Sequence, residues 1–158
     1  MTSIIMYNET IKNFVISQME KKGRILAVDF GTKRIGLAIS DENAEIAQPF
    51  AVLKREGNKK DVEKISNIVQ QYNVCLIVIG IPLGTDGKMT KMAEKARFFG
   101  ELLESSLGIS VVFVDETMTS FIAEEALISG GVRREKRKKL IDKVAASIIL
   151  QDFLKRKV

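Results

Sequence analysis

Residues 24–40 read RILAVDFGTKRIGLAIS and decide the fold of this chain. Two short apolar runs, residues 24–30 and 35–40, are separated by GTKR, a link that contains Gly31. Runs of this length and composition are typical of strands, and a short glycine-containing link predicts an antiparallel hairpin. The hairpin puts Asp29 at the end of its first strand, at the rim of the predicted sheet.

The chain beyond the hairpin predicts a mixed sheet. Residues 44–53 predict a third strand, in which Pro49 indicates an edge position or a bulge. Strands then alternate with helices, which predicts an α/β domain with a five-stranded mixed sheet and helices on both faces. The further strands are expected at 74–81 and 109–115, and the helices near 62–72, 92–107, 120–129 and 135–154. Apolar residues at helical spacing predict a helical extension over 1–22, before a main domain over 23–158.

The composition excludes several kinds of active site. The 158 residues include no histidine and one cysteine, so neither a Ser-His-Asp triad nor a Cys/His zinc site can be built. The net charge of +5 favours an anionic partner, such as a nucleic acid. The chain has no apolar run near the roughly 20 residues that cross a bilayer, and no signal peptide at its start, so we expect a cytoplasmic protein without a membrane partner.

Acidic residues at the ends of two predicted strands are candidate catalytic residues. Asp29 ends the first strand, and Asp115 and Glu116 end the fifth. Because neighbouring strand residues point to opposite faces, only one of Asp115 and Glu116 is expected to enter a site, and which one stays open. The alternative roles are an ordinary turn aspartate at 29 and acids that favour the dipole of the following helix at 115–116.

Asp142 is the fourth candidate catalytic residue, and it lies in the last predicted helix. It shares a helical face with Ala145, Ala146 and Ile149, and an ionised carboxylate on this apolar stripe is costly unless it is paired or binds a metal. The alternative is a salt bridge to a lysine one turn earlier, Lys138 or Lys139. Carboxylates that converge from separate elements suit Mg²⁺ or Mn²⁺, and the predicted metal ligands are Asp29, Glu116 and Asp142.

Two basic segments are candidates for binding the phosphates of a nucleic acid. Thr32, Lys33 and Arg34 lie in the turn that follows Asp29. Arg133 and Arg137 belong to a stretch dense in lysine and arginine at the start of the last helix. A solvated helix face is the alternative for the second segment.

Four motifs together resemble the YqgF/RuvX family of Holliday junction resolvases and pre-16S rRNA processing nucleases. They are DFGTKRIGLAISD at 29–41, GIPLGTDG at 80–87, VDETMTS at 114–120 and DKVAASIIL at 142–150. The resemblance covers about residues 24–153 and implies a ribonuclease H-like fold, nuclease activity, and an acidic site formed by Asp29, Asp115-Glu116 and Asp142. The acid that the similar RuvC-type resolvases carry at the end of strand four is missing, since Gly80 stands there.

Three functions follow as hypotheses from the sequence. The first is a metal-dependent endonuclease, a hydrolase that processes the 5′ end of pre-16S rRNA, with a Holliday junction resolvase as its alternative; a monomer or a weak homodimer is expected. The second is an ATPase or kinase of the actin type, because Asp29 to Thr32 fits a D-x-G-T phosphate loop; that fold needs two lobes, and this chain supplies one. The third is a nucleic-acid-binding protein without catalysis.

Overall fold

A computed structural model describes residues 13, 16–17, 20, 22–84, 86–116 and 119–156. The strands are β1 (Arg24–Phe30), β2 (Arg34–Ser40), β3 (Ala47–Lys54), β4 (Val74–Ile81) and β5 (Ser110–Asp115). The helices that follow β3 are α1 (Asn58–Gln71), α2 (Lys91–Leu107), α3 (Thr119–Ser129) and α4 (Arg134–Arg156). The predicted order of strands and helices in the main domain is therefore confirmed.

The strands form one sheet in the order β3-β2-β1-β4-β5. β1 and β2 are the predicted antiparallel hairpin, closed by the Gly31 amide, which donates to the Arg34 carbonyl at 2.9 Å. β1, β4 and β5 run parallel, so their carboxyl ends meet at one edge of the sheet. The predicted five-stranded mixed sheet is confirmed. Its topology brings together strand ends that lie far apart in the sequence.

Helices cover both faces of the sheet because successive strand residues point to opposite sides. On one face, strand residues such as Leu26 and Val28 are buried under α1 and α2. On the other face, Ile25 and Ala27 are buried under α4, and α3 packs on α4. β4 is covered on both faces, as its continuous apolar sequence predicts.

The start of β3 was predicted three residues too early. Residue 44 lies in a turn, where Ala44 has a positive φ of 55°, and the strand begins at Ala47. The Asp41 carboxylate accepts hydrogen bonds from the amides of Glu45 and Ile46, at 2.7 and 2.8 Å, and so holds this turn outside the sheet. β3 is an edge strand with a register shift beside Pro49, so both features that the proline indicated are present.

Most of the predicted helical extension over residues 1–22 lies outside the described residues, so it stays a prediction. Within the ranges that the structure describes, no helix is long and apolar enough to pass through a bilayer.

Candidate active site

A row of three residues crosses the sheet at the carboxyl end of β1. Asp29 is opposite Gly36 on β2 and opposite Gly80 on β4. Paired residues in a sheet present their side chains on the same face, which here is the face covered by α4. Asp29 therefore has a glycine on each side, and the space on its two flanks is open to groups from other elements.

Gly36 is where α4 comes closest to the sheet. A Cβ atom at this position would lie 2.0 Å from the Asp142 carbonyl oxygen and 3.0 Å from the Asp142 Cβ atom. Only glycine fits so close to the helix backbone. Because opposed strand residues have Cβ atoms about 5 Å apart, the Cβ atoms of Asp29 and Asp142 are at most about 8 Å apart, a gap that two aspartates can span with an ion between them.

Gly80 provides the space for Glu116. A Cβ atom on Gly80 would lie 2.8 Å from Oε2 of Glu116 and 2.6 Å from the Ile149 Cδ1 atom of α4. The Glu116 amide donates to the Ile81 carbonyl at 3.1 Å, so the parallel ladder between β4 and β5 continues one residue past β5. Of the two neighbouring acids left open by the sequence, Glu116 is the one beside Asp29.

Asp29 and Glu116, called the carboxyl pair below, share a hydrogen bond in which protonated Glu116 is the donor. Burial, the negative charge of Asp29 and this hydrogen bond together raise the pKa of Glu116 to about 9. Burial also raises the pKa of Asp29 to about 6, the hydrogen bond from Glu116 opposes that rise, and the charge of Asp142 adds to it. The pair therefore carries about one proton at neutral pH, because two ionised carboxylates so close together repel each other.

Asp142 forms an ion pair with Arg34. Nε of Arg34 donates to Oδ2 of Asp142 at 2.7 Å, and the two side chains are 50% and 24% exposed. The predicted position of Asp142 on the apolar stripe of the last helix is confirmed, since Ala145, Ala146 and Ile149 on the same face are buried. The alternative of a salt bridge to a lysine of the same helix is not what the structure shows, because the partner is an arginine of β2.

The three predicted metal ligands converge at one edge of the sheet without forming a finished metal site. Among the residues described, no group of three acidic or cysteine side chains is arranged to hold an ion. In the structure the carboxyl pair shares a proton and Asp142 faces Arg34.

The other predicted site residues lie around this cluster. Asp115 follows Val114 on β5 and so points to the opposite face of the sheet, although its charge contributes to the raised pKa of Glu116. Thr32 and Lys33 are exposed in the hairpin turn. Arg133 is exposed before α4, whereas Arg137 is half-buried and its Nη1 donates to the Val132 carbonyl at 2.9 Å.

A buried ion pair under the hairpin turn escaped the sequence analysis. Asp61 is fully buried and accepts from Nε of Arg55 at 2.6 Å. The same guanidinium donates to the Gly31 carbonyl at 3.0 Å, and the Arg55 amide donates to the Lys33 carbonyl at 2.9 Å. The pair thus fixes the turn that follows Asp29. An arginine just after the edge strand and an aspartate six residues later gave no recognisable pattern, because lysines and acids surround both.

Comparisons with known proteins agree with this geometry. Residues 23–156 match a family described as "RuvX: Holliday junction resolvase". The chain belongs to this family. A relative from Caldanaerobacter subterraneus, named "Putative pre-16S rRNA nuclease", is 46% identical over 132 residues, which are 83% of this chain and 95% of the relative. A relative of the same name from Clostridioides difficile is 42% identical and covers 86% of this chain and 96% of its own length. The resemblance to a nuclease family is therefore confirmed.

Solved structures share the fold at low sequence identity. Thermus thermophilus RuvC in complex with a Holliday junction substrate superposes with a TM-score of 0.54 at 13% identity, over 85% of this chain and 95% of that one. The fowlpox virus resolvase in complex with Holliday junction DNA gives a TM-score of 0.53 at 14% identity, over 84% and 97%. These structures confirm the predicted ribonuclease H-like fold.

Proposed function

We propose that this chain is a divalent-metal-dependent endonuclease that hydrolyses phosphodiester bonds of pre-16S rRNA. The observation that carries the proposal is the convergence of Asp29, Glu116 and Asp142 from three separate elements on one glycine-flanked edge of the sheet. Relatives that cover most of the chain are named for pre-16S rRNA. An enzyme with that substrate acts in the cytoplasm, and a monomer suffices to trim one strand.

The residues of the acidic cluster fit Mg²⁺ or Mn²⁺. Carboxylate oxygens are the ligands these ions prefer, and the two glycines keep the flanks of Asp29 clear of other strand side chains. The carboxyl pair would lose its shared proton on holding such an ion, because metal ligands bind in the deprotonated form. When bound, such an ion supplies Lewis-acid polarisation of the phosphate and neutralises developing charge.

Arg34 links the metal ligands to the substrate in this proposal. Its guanidinium, now paired with Asp142, is half exposed and lies in the segment that Thr32 and Lys33 begin. If Asp142 held a divalent ion, Arg34 would be available to donate to a phosphate oxygen. The exposed basic residues at the start of α4, Arg133 among them, then provide longer-range attraction for the backbone.

A matched pair of variants on one helix tests the acidic site. Asp142→Asn is expected to reduce cleavage of an end-labelled pre-16S rRNA fragment by about 100-fold or more, because a metal ligand contributes several kcal/mol. Asp152→Asn, an exposed change three turns along the same helix, is expected to cleave like the unmodified protein. Asp29→Asn should abolish cleavage and leave nucleic-acid affinity equal or higher. Cleavage that survives both acidic-site substitutions, or that persists in chelator, contradicts the proposal.

A Holliday junction resolvase is the second candidate, favoured by the description of the matching family and by the fold shared with resolvases. A resolvase cuts two strands symmetrically and so acts as a dimer. The same assay with a four-way DNA junction, alongside measurement of mass in solution, separates the two. Paired symmetric cuts by a dimer favour the resolvase, and cuts confined to rRNA ends favour the processing nuclease.

A further inference from the structure

A groove lies on the face of the sheet opposite the acidic cluster, next to the hairpin turn. Its cavity of about 670 Å³ is open to solvent and is lined by Thr32, Arg55, Asn58, Lys91, Lys95 and Phe98, with Glu94 as the acid among its described lining residues. We call it the α2 groove. Its size falls within the range of about 300–1,000 Å³ that ligand pockets occupy.

Phe98 is exposed in the α2 groove without a role in the core. It is 55% exposed, whereas its neighbour Phe99 is fully buried against the sheet. Lys91, Lys95 and Phe98 are spaced by four and three residues, so they lie on one face of α2. An aromatic ring beside two cations on a helix face is a combination that binds a base and its flanking phosphates.

The positive charge at the floor of the groove is balanced within the protein. The Arg55 guanidinium lies 4.5 Å from the centre of the Phe30 ring and 5.6 Å from that of Phe99. Its charge is matched by buried Asp61. The positive charge available to a ligand therefore comes from Lys91 and Lys95, not from the floor.

The α2 groove shares two lining residues with a neighbouring cavity at the hairpin turn. Thr32 and Arg55 also line a second cavity of about 530 Å³, together with Lys33, Arg34 and Lys54. No acidic residue lines this second cavity within the described part of the chain. A basic path therefore runs from Arg34, beside Asp142, over the turn to the α2 groove.

We propose that the α2 groove binds a single-stranded segment of the nucleic-acid substrate, with one base stacked on Phe98. The proposal rests on the proposed nuclease function and adds where the strand goes beyond the cleaved bond. A single strand is favoured over a duplex because a base can stack on a protein ring only when it is free of its own helix. The chain would then select substrates with an unpaired segment next to the cleaved phosphate.

Binding of a single-stranded RNA labelled with 2-aminopurine at successive positions tests this subsite. The measurements are made in chelator, so that they do not depend on cleavage. We expect one label position to respond to protein by stacking. Phe98→Ala should remove that response and weaken binding roughly tenfold, and Phe98→Tyr should keep both. Phe121→Ala, which removes an equally exposed ring from α3, is the control and should behave like the unmodified protein.

The cationic part of the groove has a separate readout. Joint substitution of Lys91 and Lys95 by alanine should lower the slope of log affinity against log salt by roughly 1 to 1.5, since each phosphate contact to a single strand contributes about 0.7. Cleavage of an RNA too short to reach the groove should keep its rate in the Phe98 and lysine variants.

Several outcomes would contradict the proposal that the α2 groove binds a single strand. Equal affinity and equal 2-aminopurine signals for Phe98→Ala and the unmodified protein exclude base stacking. A change in oligomeric state on Phe98→Ala, with unaltered RNA affinity, assigns this face to a protein contact instead. Failure of the proposed function is distinguishable, because cleavage by Asp29→Asn would refute the acidic site while leaving the Phe98 binding result unaffected.

Discussion

Replacement of Glu116 by glutamine should make the protein more stable at neutral pH when no metal is present. Glu116 is partly buried beside Asp29, and its pKa in the folded protein is about 9. In the unfolded chain the same group has its ordinary pKa of 4.5. Unfolding above pH 4.5 therefore releases a proton that the native state retains, which stabilises the unfolded state more as the pH rises.

The size of this effect follows from the two pKa values. The contribution of Glu116 is fully present below pH 4.5 and is lost at about 1.4 kcal/mol per pH unit until the pH reaches the folded value. Between pH 4.5 and pH 7 the loss amounts to about 3 kcal/mol. Glutamine does not titrate, and its amide can still donate a hydrogen bond to Asp29. The free energy of unfolding of Glu116→Gln therefore does not fall with rising pH for this reason.

Urea unfolding in chelator at about pH 4.5, 5.5, 7 and 8 measures the prediction. The quantity of interest is the free energy of unfolding of Glu116→Gln minus that of the unmodified protein, followed as a function of pH. This difference should grow by about 3 kcal/mol between pH 4.5 and 7, and a comparison across pH cancels the fixed cost of burying an amide. Glu124→Gln, at an exposed position on α3, is the matched control and should give a flat difference.

A pH-independent difference for Glu116→Gln would refute the reasoning. It would mean that Glu116 ionises alike in the folded and unfolded states, and that no shared proton exists beside Asp29. A difference that grows equally in the Glu124→Gln control would point instead to the overall charge of the protein.

Three further predictions follow from the same geometry. Gly36→Ala should destabilise the fold by at least about 1–3 kcal/mol, because its Cβ atom would overlap the Asp142 carbonyl. Gly130→Ala is the control and should have a far smaller effect, since its Cβ atom meets nothing closer than 3.4 Å. Similar urea midpoints for the two variants would contradict this prediction. Asp61→Asn should lower the free energy of unfolding by about 3–5 kcal/mol, because it leaves Arg55 buried without its counter-charge. An unchanged melting temperature would show that the ion pair does not stabilise the fold. Cleavage at fixed Mg²⁺ or Mn²⁺ should rise from about pH 6 to pH 9, because the carboxyl pair must lose its proton to bind a cation, and a rate that falls over this range would argue against it.

Elements with an uninterrupted apolar sequence were predictable to within a residue. β1 and β4 have the predicted bounds because a run covered on both faces has few alternatives to a central strand. β3 was harder, since Asp41 satisfies two backbone amides locally and delays the strand. That competition between a side chain and the sheet leaves little trace in a pattern of apolar residues.

The sequence indicated the acids of the cluster without deciding between Asp115 and Glu116, and it did not indicate how the acids are arranged. Each acid stands where an apolar run ends or is interrupted, a local signal. The partner of Asp142 is Arg34, which is 108 residues away, and periodicity within a helix favours only partners one turn apart. A glycine inside a strand indicates that another backbone approaches closely. Gly36 is such a glycine, and the structure shows that the backbone next to it is that of Asp142.

The glycine near the end of β4 explains how a third carboxylate reaches the acidic cluster without an acid on that strand. The Glu116 carboxyl occupies the space that a β4 side chain would need, with Oε2 only 2.8 Å from a Cβ atom placed on Gly80. Glu116 reaches this space because its amide extends the parallel ladder to the Ile81 carbonyl. An acid at position 80 would therefore require the side chain of Glu116 to move. A carboxylate can thus reach this position from either of two neighbouring parallel strands, and in this chain it comes from the residue that follows β5.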